Sequence, residues 1–384
     1  MFFKVGDSMI IKNGRIITEK GIIEGSVEID KGKIIRIYND KYPKGEGIDV
    51  SGCFICPGFI DIHIHGIEGH DCMEGNIEAI NEISKALIKY GVTSFLPATM
   101  TEDLKKIRKA VEIISNTKSK GTAGAKILGI NLEGPFISPS MAGAQDPKYI
   151  KKPSFDTFKD LANDYINEIK IVTIAPEEEG AVELIANLNS IGIIASVGHT
   201  NGNYDDFIKG YKAGIKHCTH LFNAMTGFHH RQPNIVGGVF NSDVTAEMIL
   251  DGVHIHFDAV KVALKVKGID KIILVSDAMM ACGLCDGLYS LGGQDVYVKD
   301  GQARLKDGTL AGSTLTLSKA LYNAVNNLNI TLIDAIKMVT SNPAKLLKLD
   351  NEIGYIKEGF YADIVIFDDD INIKHVFVNG EMKF

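Results

Sequence analysis

Short apolar segments alternate with amphipathic segments through the middle of the chain. Two amphipathic segments, NIEAINEISKALIKYG and STLTLSKALYNAVNNLN, carry apolar residues at helical spacing. The apolar segments have the length of buried strands and are FIDIHIHG (59–66), GVTSFLPAT (91–99), KILGINLEG (126–134), IKIVTIAPE (169–177), GIIASVGHT (192–200), HCTHLFN (217–223), AEMILDGVH (246–254) and KIILVSDAM (271–279). Eight strands, mostly separated by helical patterns, predict an α/β fold of the (β/α)8 TIM-barrel type.

The two ends of the chain show strand-like alternation and hairpin turns instead. Residues 8–57 contain MIIKNGRIIT and VEIDKGKIIRI, for which we predict turns at Asn13-Gly14 and around Lys31-Gly32. The last part reads IGYIKEGFYADIVIFD and IKHVFVNGEMKF, with another predicted turn at Asn379-Gly380. Neither end buries enough apolar surface alone, so we expect both to form one small β-sandwich domain (1–57 with 350–384) beside a barrel (58–349).

The first barrel segment, FIDIHIHG, carries polar residues inside an apolar run. Because side chains alternate along a strand, Asp61, His63 and His65 share one face and the isoleucines share the other. A lone buried histidine is usually a core residue with satisfied hydrogen bonds. Two histidines at this spacing, beside an aspartate, are equally compatible with a metal site.

Metal-ligand residue types also occur where other predicted strands end. The strands of such a barrel end at one face, and that face carries the active site. Taken singly, each has an ordinary explanation: Glu133 as a helix-start carboxylate, His199 as a loop residue, His220 as a core histidine and Asp277 as an N-cap. Their joint placement predicts a centre for one or two divalent ions, Zn²⁺ first with Fe²⁺ or Mn²⁺ as alternatives, formed by His63, His65, Glu133, His199, His220 and Asp277.

Composition narrows the class of partner. The formal net charge of -7 over 384 residues argues against nucleic acid or an anionic membrane as the main partner. An anionic substrate would therefore need a local group of cations. No segment reaches about 18 consecutive apolar residues, and the start, MFFKVGDSMIIKNG, lacks the order of a signal peptide. We therefore expect a cytoplasmic protein.

The cysteines form two pairs with CxxC spacing, Cys53/Cys56 and Cys282/Cys285. This spacing also occurs in zinc and redox sites. The pairs lie far apart in the chain, unlike the ligand pairs of small zinc modules, and neither opens a helix after a strand. We predict free thiols, with Cys53, Cys56 and Cys218 in apolar surroundings.

An ordered set of short motifs extends along essentially the whole chain: PGFIDIHIHG, NLEGPF, SVGHT, THLFNAM, DGVH and SDAM. In this order, and with the strand-rich ends, they resemble the amidohydrolase superfamily, and within it the deacetylases of phosphorylated amino sugars. The resemblance implies metal-dependent hydrolysis of the acetamide of an amino-sugar phosphate by a homodimer.

The resemblance also implies roles for the strand-end residues. Two groups of metal ligands are implied, with one carboxylate as the bridge between them: Glu133, His199 and His220 for the site common to the family, and His63 with His65 for a second site. Asp277 matches the aspartate that takes a proton from the attacking water and returns it to the leaving amine.

A second set of residues is implied for the substrate. Asn223, the backbone of Ala224, Arg231 and His254 match positions that hold the sugar phosphate, with Arg231 reaching across from a neighbouring subunit. Gln145, in AGAQDP, stands where some relatives have a histidine that contacts the acetamide carbonyl. Its amide can donate a hydrogen bond to an oxyanion, but it cannot become a cation.

Two alternative functions use the same residues. Another cyclic-amide or deaminating hydrolase would share the metal ligands, although the fourth strand segment, IKIVTIAPE, ends without the lysine of a carbamylated bridge. A non-catalytic relative kept as an interaction scaffold would have lost its ligands, whereas all six are present here. Metal analysis separates these classes, because a scaffold should hold no stoichiometric transition metal.

Overall fold

The computed structural model describes residues 9–39 and 47–384. The first residues of the chain, on which the expected lack of a signal peptide depends, and residues 40–46 of the predicted N-terminal strand region lie outside the described residues. The described chain begins with strands β1 (Met9–Thr18), β2 (Gly21–Asp30), β3 (Lys33–Asn39), β4 (Gly47–Asp49) and β5 (Phe54–Pro57).

The predicted turn at Asn13-Gly14 is wrong. The chain continues through it as the single strand β1, and its antiparallel register with β2 shifts between Ile11 and Gly14, which marks a β-bulge. Asn13 has φ 62°, so the left-handed preference of an Asn-Gly pair is used for a bulge here. The turns at Lys31-Gly32 and Asn379-Gly380 are confirmed, because antiparallel strands pair on either side of each.

The central part of the chain alternates strands and helices. Its strands are β6 (Phe59–Ile64), β7 (Gly66–Ile67), β8 (His70–Asp71), β9 (Val92–Thr99), β10 (Lys126–Ile127), β11 (Ile130–Glu133), β12 (Ile169–Ile174), β13 (Ile194–Val197), β14 (Ile215–Cys218), β15 (Thr245–Ile249) and β16 (Ile272–Val275). Its helices are α1 (Ile77–Ile88), α2 (Leu104–Lys120), α3 (Phe155–Ala162), α4 (Ala181–Ser190), α5 (Tyr204–Ala213), α6 (Asn234–Phe240) and α7 (Phe257–Lys267).

Eight parallel strands form the predicted barrel. Their order is β6, β9, β11, β12, β13, β14, β15 and β16, each paired in parallel with the next. The circle closes where β16 ends beside β6: the N–H of Asp277 donates to the carbonyl of His63 (2.9 Å), and the N–H of His65 donates to that of Ala278 (2.9 Å). Strand β6 is buried at every residue, as expected for a barrel strand covered on both faces.

A three-stranded antiparallel sheet follows the barrel, consisting of β17 (Gly287–Leu291), β18 (Gln294–Lys299) and β19 (Gln302–Arg304). It packs on its own small apolar cluster, which includes Met100, Leu291 and Val296. The sequence patterns did not predict this sheet. Helices α8 (Leu317–Asn326), α9 (Leu332–Val339) and α10 (Ser341–Leu346) then complete the cover of the barrel.

The chain ends in β20 (Ile364–Phe367), β21 (Ile373–Val378) and β22 (Glu381–Met382), which join the N-terminal strands. Strand β20 pairs antiparallel with β5, so both ends of the chain form one sheet around a separate apolar core. This confirms the predicted fold class. The arrangement supports domain boundaries at 57/58 and 349/350, which remain a proposal. Among the described residues, no helix has the length and apolar character needed to cross a membrane.

Candidate metal centre and active site

The six predicted strand-end residues meet at the C-terminal face of the barrel. His63 lies in β6 and Glu133 ends β11, whereas the other four follow the last residues of their strands. All six residues are buried: His63, His65, Glu133, His199, His220 and Asp277. The order of parallel strands thus brings together side chains that are far apart in the sequence.

Three of these residues have a backbone conformation that is uncommon for residues other than glycine. His199, His220 and Asp277 have φ values of 46°, 27° and 48°. Such positive φ values cost free energy and occur often at functional sites, where tight turns aim side chains into a cavity. Because no helix follows Asp277 before α8, the alternative that Asp277 is an N-cap is wrong.

One candidate ion group consists of Glu133, His199 and His220. The Oε1 atom of Glu133 lies 3.2 Å from Nε2 of His199 and 3.0 Å from Nε2 of His220. The two Nε2 atoms lie 3.1 Å apart. Nδ1 of His199 is held by the carbonyl oxygen of Met141 at 2.9 Å, which leaves its Nε2 for a ligand bond.

A second group consists of His63, His65 and the same carboxylate. The Nε2 atoms of His63 and His65 lie 3.3 Å apart, and Oε2 of Glu133 lies 3.2 Å from Nε2 of His65. Within each group the ligand atoms lie within 4.8 Å of one another. Facing neutral imidazole nitrogens satisfy each other poorly, whereas a divalent cation among them would be bound by every one. These donors therefore fit the metal ions expected for this face.

The charges of this cluster depend on one another. Burial by itself would raise the pKa of Glu133, but His63, His199 and His220 outweigh it and hold that pKa well below its usual range. Burial would lower the pKa of His65, yet Asp277 and Glu133 raise it to about 9. A metal ion binding here must therefore displace protons from imidazoles, which couples its affinity to pH.

Asp277 lies directly beside this cluster. Its Oδ1 atom lies 3.3 Å from Nε2 of His65 and 3.7 Å from Nε2 of His63. Burial favours the neutral acid, but the two imidazoles lower the pKa of Asp277 below its ordinary value. Asp277 is therefore a carboxylate at neutral pH, able to accept a proton from a group bound in the cavity.

The cluster forms the floor of a cavity of about 450 Å³. Its walls include Asn223, Ala224 and His254. The ring of His254 is fixed by a 2.7 Å hydrogen bond between its Nδ1 and Oδ2 of Asp251, a residue that the sequence analysis did not single out. Within the described chain the backbone N–H of Ala224, at φ 48°, has no acceptor, so it is available to an anion.

Gln145 lies in the cavity wall but is already engaged. Its Oε1 accepts a 2.6 Å hydrogen bond from the N–H of Thr101, and its Nε2 donates a 2.6 Å bond to Oε2 of Glu133. The amide therefore orients the shared carboxylate in this structure. Its predicted contact with a substrate carbonyl stays a prediction and depends on its other N–H, which faces the sulfur of Met100 at 3.7 Å.

The two arginines near this face have different positions. Arg231 is exposed, contacts His230 and does not line the cavity of its own chain. Arg304, which the sequence analysis missed, does line it and is the only lysine or arginine to do so among the described residues. Its guanidinium donates to the carbonyl of Gly308 and to Gln302, and it has no carboxylate partner in the described chain.

The cysteines do not take part in this site. All six are free, with Cys56, Cys72, Cys218 and Cys282 buried, Cys53 half-buried and Cys285 exposed. The prediction of free thiols is confirmed.

Comparisons with known proteins agree with this site. Residues 54–383 match the model of the amidohydrolase family. The N-acetylglucosamine-6-phosphate deacetylase of Lysinibacillus sphaericus is 38% identical over 100% of this chain and 99% of its own. An N-acetylgalactosamine-6-phosphate deacetylase of Escherichia coli O157:H7 is 31% identical, over 97% and 98% of the two chains. The N-acetyl-D-glucosamine-6-phosphate deacetylase of Mycobacterium smegmatis superposes with a TM-score of 0.94 at 29% identity, over 98% of this chain and 100% of its own. That structure is of an aspartate-to-alanine variant in complex with N-acetyl-D-glucosamine-6-phosphate.

The barrel carries two groups of residues that could hold metal ions, and the family model and the relatives define the class as a metal-dependent hydrolase. The chain belongs to the amidohydrolase family, within the group of the N-acetylglucosamine-6-phosphate deacetylases. This membership argues against a non-catalytic scaffold, because the metal-ligand residue types are all in place.

Proposed function

We propose that the chain hydrolyses the acetamide of N-acetyl-D-glucosamine 6-phosphate, releasing acetate and D-glucosamine 6-phosphate, in amino-sugar catabolism. One observation carries the proposal: two ligand groups share Glu133 on the floor of a cavity whose wall presents a free backbone N–H and a guanidinium. The substrates of the relatives fit this polarity, because a sugar phosphate has an amide at one end and a dianion at the other. Such a charged substrate does not cross membranes unaided, so we propose a cytoplasmic location.

The metal centre in this proposal holds one or two divalent ions. His63, His65, His199 and His220, with the shared carboxylate of Glu133, would suit Zn²⁺ best, and Fe²⁺ or Mn²⁺ are alternatives. When bound, such ions supply a Lewis acid that polarises the acetamide carbonyl and lowers the pKa of water.

Asp277 carries the proton in this proposal. Its carboxylate is ionised and lies at the edge of the ligand cluster, where it accepts a proton from the attacking water. The tetrahedral adduct then collapses only if the amine leaves as a neutral group, so Asp277 returns the same proton to the nitrogen. We propose that the N–H of Gln145 that now faces Met100 donates to the oxyanion, while the other keeps its bond to Glu133.

The phosphate end is assigned to the wall residues that are not metal ligands. We propose that Asn223, the N–H of Ala224 and His254 hold the sugar phosphate, and that the exposed Arg231 completes this site from a neighbouring subunit of a homodimer. Arg304 adds a cation from the same chain. Together these groups would offset the acidity of the protein close to the substrate.

An acetate-release assay tests the proposed reaction. We expect the metal-loaded protein to release acetate from N-acetylglucosamine 6-phosphate at least about 10-fold faster, as kcat/KM, than from its galactosamine isomer, and far faster than from N-acetylglucosamine. Preference for the galactosamine isomer would reassign the sugar, as the E. coli relative allows. Absence of acetate with every substrate, in protein that holds stoichiometric metal, would contradict the deacetylase function.

Arg231→Ala tests how the phosphate is held. We expect KM for N-acetylglucosamine 6-phosphate to rise about 10- to 100-fold, because a charge-assisted contact to the anion is lost, while the slow hydrolysis of N-acetylglucosamine stays unchanged. Arg108→Ala, which removes an exposed guanidinium paired with Asp160, is the matched control and should behave as wild type. Equal losses on both substrates would show that Arg231 has only a structural role.

Mixed dimers test whether Arg231 acts across a subunit boundary. At a substrate concentration well below the KM of Arg231→Ala, Arg231→Ala and Asp277→Asn subunits are each expected to be poorly active alone. A mixed dimer contains one active site with both residues intact, so mixing should restore part of the activity. Verified mixed dimers that recover none would contradict the contribution from a neighbouring subunit.

A further inference from the structure

A buried carboxylate lies directly behind the candidate metal centre. Glu247, in β15, is fully buried and does not line the cavity. Its Oε2 atom lies 2.9 Å from Nδ1 of His63 and accepts a 3.1 Å hydrogen bond from the backbone N–H of His220. Its Oε1 atom lies 3.0 Å from Nε2 of His217. One carboxylate therefore contacts the ring of a residue in one ligand group and only the backbone of a residue in the other.

The contact with His63 has a direct chemical consequence. A neutral imidazole can bind a cation through Nε2 only when its proton is on Nδ1, and an acceptor at Nδ1 selects that tautomer. The Nε2 atom of His63 then faces His65 and Glu133, at 3.3 and 3.5 Å. Among the four histidines of the described ligand groups, only His63 has a carboxylate within hydrogen-bond distance of its Nδ1. Nδ1 of His65 and Nδ1 of His220 have no hydrogen-bond partner. Nδ1 of His199 faces the carbonyl oxygen of Met141.

The arrangement is more specific than a general barrel ion pair. Burying a carboxylate is unfavourable unless several donors satisfy it, and here the donors come from β6, from β14 and from the turn after β14. His217, the third partner, is held from the other side by Oγ1 of Thr245 at 2.7 Å. The network therefore fixes Glu247 in the orientation in which Oε2 faces His63.

We propose that Glu247 is a positioning residue of the metal centre. Glu247 holds the ring and the tautomer of His63, and it thereby sets the affinity for an ion held by His63, His65 and Glu133. This inference rests on the metal centre of the proposed function, and it goes beyond it by assigning a residue that touches neither ion nor substrate. It predicts that the two ion sites respond unequally to a change at Glu247.

Glu247→Gln tests this inference by metal binding, without any sugar substrate. The amide keeps the size of the side chain but is neutral, so in either orientation His63 loses the charged acceptor behind its Nδ1, and in one of them it faces an N–H₂ group instead. We expect equilibrium dialysis against Zn²⁺ to show two ions in the wild-type chain, and in the variant one tight ion and a second bound about 10- to 100-fold more weakly. Co²⁺-loaded protein should show a changed absorption spectrum at the weakened site.

Thr245→Val is the matched control, because it removes the other hydrogen bond of His217 and leaves Glu247 and His63 in contact. It should bind two ions as the wild type does. If Glu247→Gln does not fold, Glu247→Asp keeps the charge but shortens the side chain, and the same selective weakening is expected. In a His63→Asn background the change at Glu247 should have no further effect on metal affinity.

Two results separate this inference from the proposed function. Two ions of unchanged affinity in Glu247→Gln, with or without a lower melting temperature of the metal-free chain, would overturn the positioning role alone. Fewer than two ions in the wild type would instead contradict the second site, and with it this inference. Acetate release does not enter either result.

Discussion

Glu133→Gln is expected to remove bound metal and to reduce turnover by more than about 100-fold. Glu133 is the only residue shared by the two ligand groups, since its Oε1 faces His199 and His220 and its Oε2 faces His65. The amide is neutral and offers only one oxygen, so neither ion keeps its charge balance. Changes outside the ligand shell already cost about 10- to 100-fold, and loss of a shared ligand should cost more.

The effect should be specific to the metal centre. Glu177→Gln makes the same substitution at a carboxylate near the same barrel face, where it accepts hydrogen bonds from Thr200 and Asn201. That variant should keep its metal, as measured by elemental analysis after dialysis, and most of its activity. Full metal content and full turnover in Glu133→Gln would rule out Glu133 as a metal ligand.

The barrel and its strand-end residues could be predicted from sequence because the signals are local. An apolar strand of a parallel barrel is buried on both faces, so a polar side chain inside it or at its end needs a specific reason to be there. His63 in β6 and Glu133 at the end of β11 both satisfy this criterion. Glu247 satisfies it equally, inside AEMILDGVH, and the same reasoning could have found it.

Other features were not accessible in this way. Arg304 reaches the cavity because the sheet of β17 to β19 packs beside it, and nothing local distinguishes such a hairpin from one on a remote surface. The bulge at Asn13 shows the same limit, because an Asn-Gly pair has the same local preference in a bulge and in a turn, and only the pairing of the neighbouring strands decides. Long-range packing determines both the position of Arg304 and the bulge at Asn13.

Asp277→Asn is expected to keep the metal and lose roughly 100-fold or more in turnover. The amide preserves the shape of the side chain, and the two ligand groups do not require Asp277. It cannot accept a proton from water, however, so both the attack and the departure of the amine lose their proton carrier. Wild-type kcat/KM should decline at acidic pH, where both Asp277 and the ligand imidazoles take up protons, and the variant should lack only the part of that decline that is due to Asp277.

The control for Asp277→Asn is Asp71→Asn. Asp71 is also buried, and its carboxylate accepts a 2.7 Å hydrogen bond from the N–H of Met73, but it does not line the cavity. A general intolerance of the barrel to neutral replacements would slow both variants, whereas proton transfer by Asp277 predicts near wild-type turnover in Asp71→Asn only. If Asp277→Asn retained its metal and turned over at the wild-type rate, another group would have to carry the proton. His254 would then be the next side chain to test, because it is the remaining ionisable group in the described cavity wall apart from the ligands and Arg304.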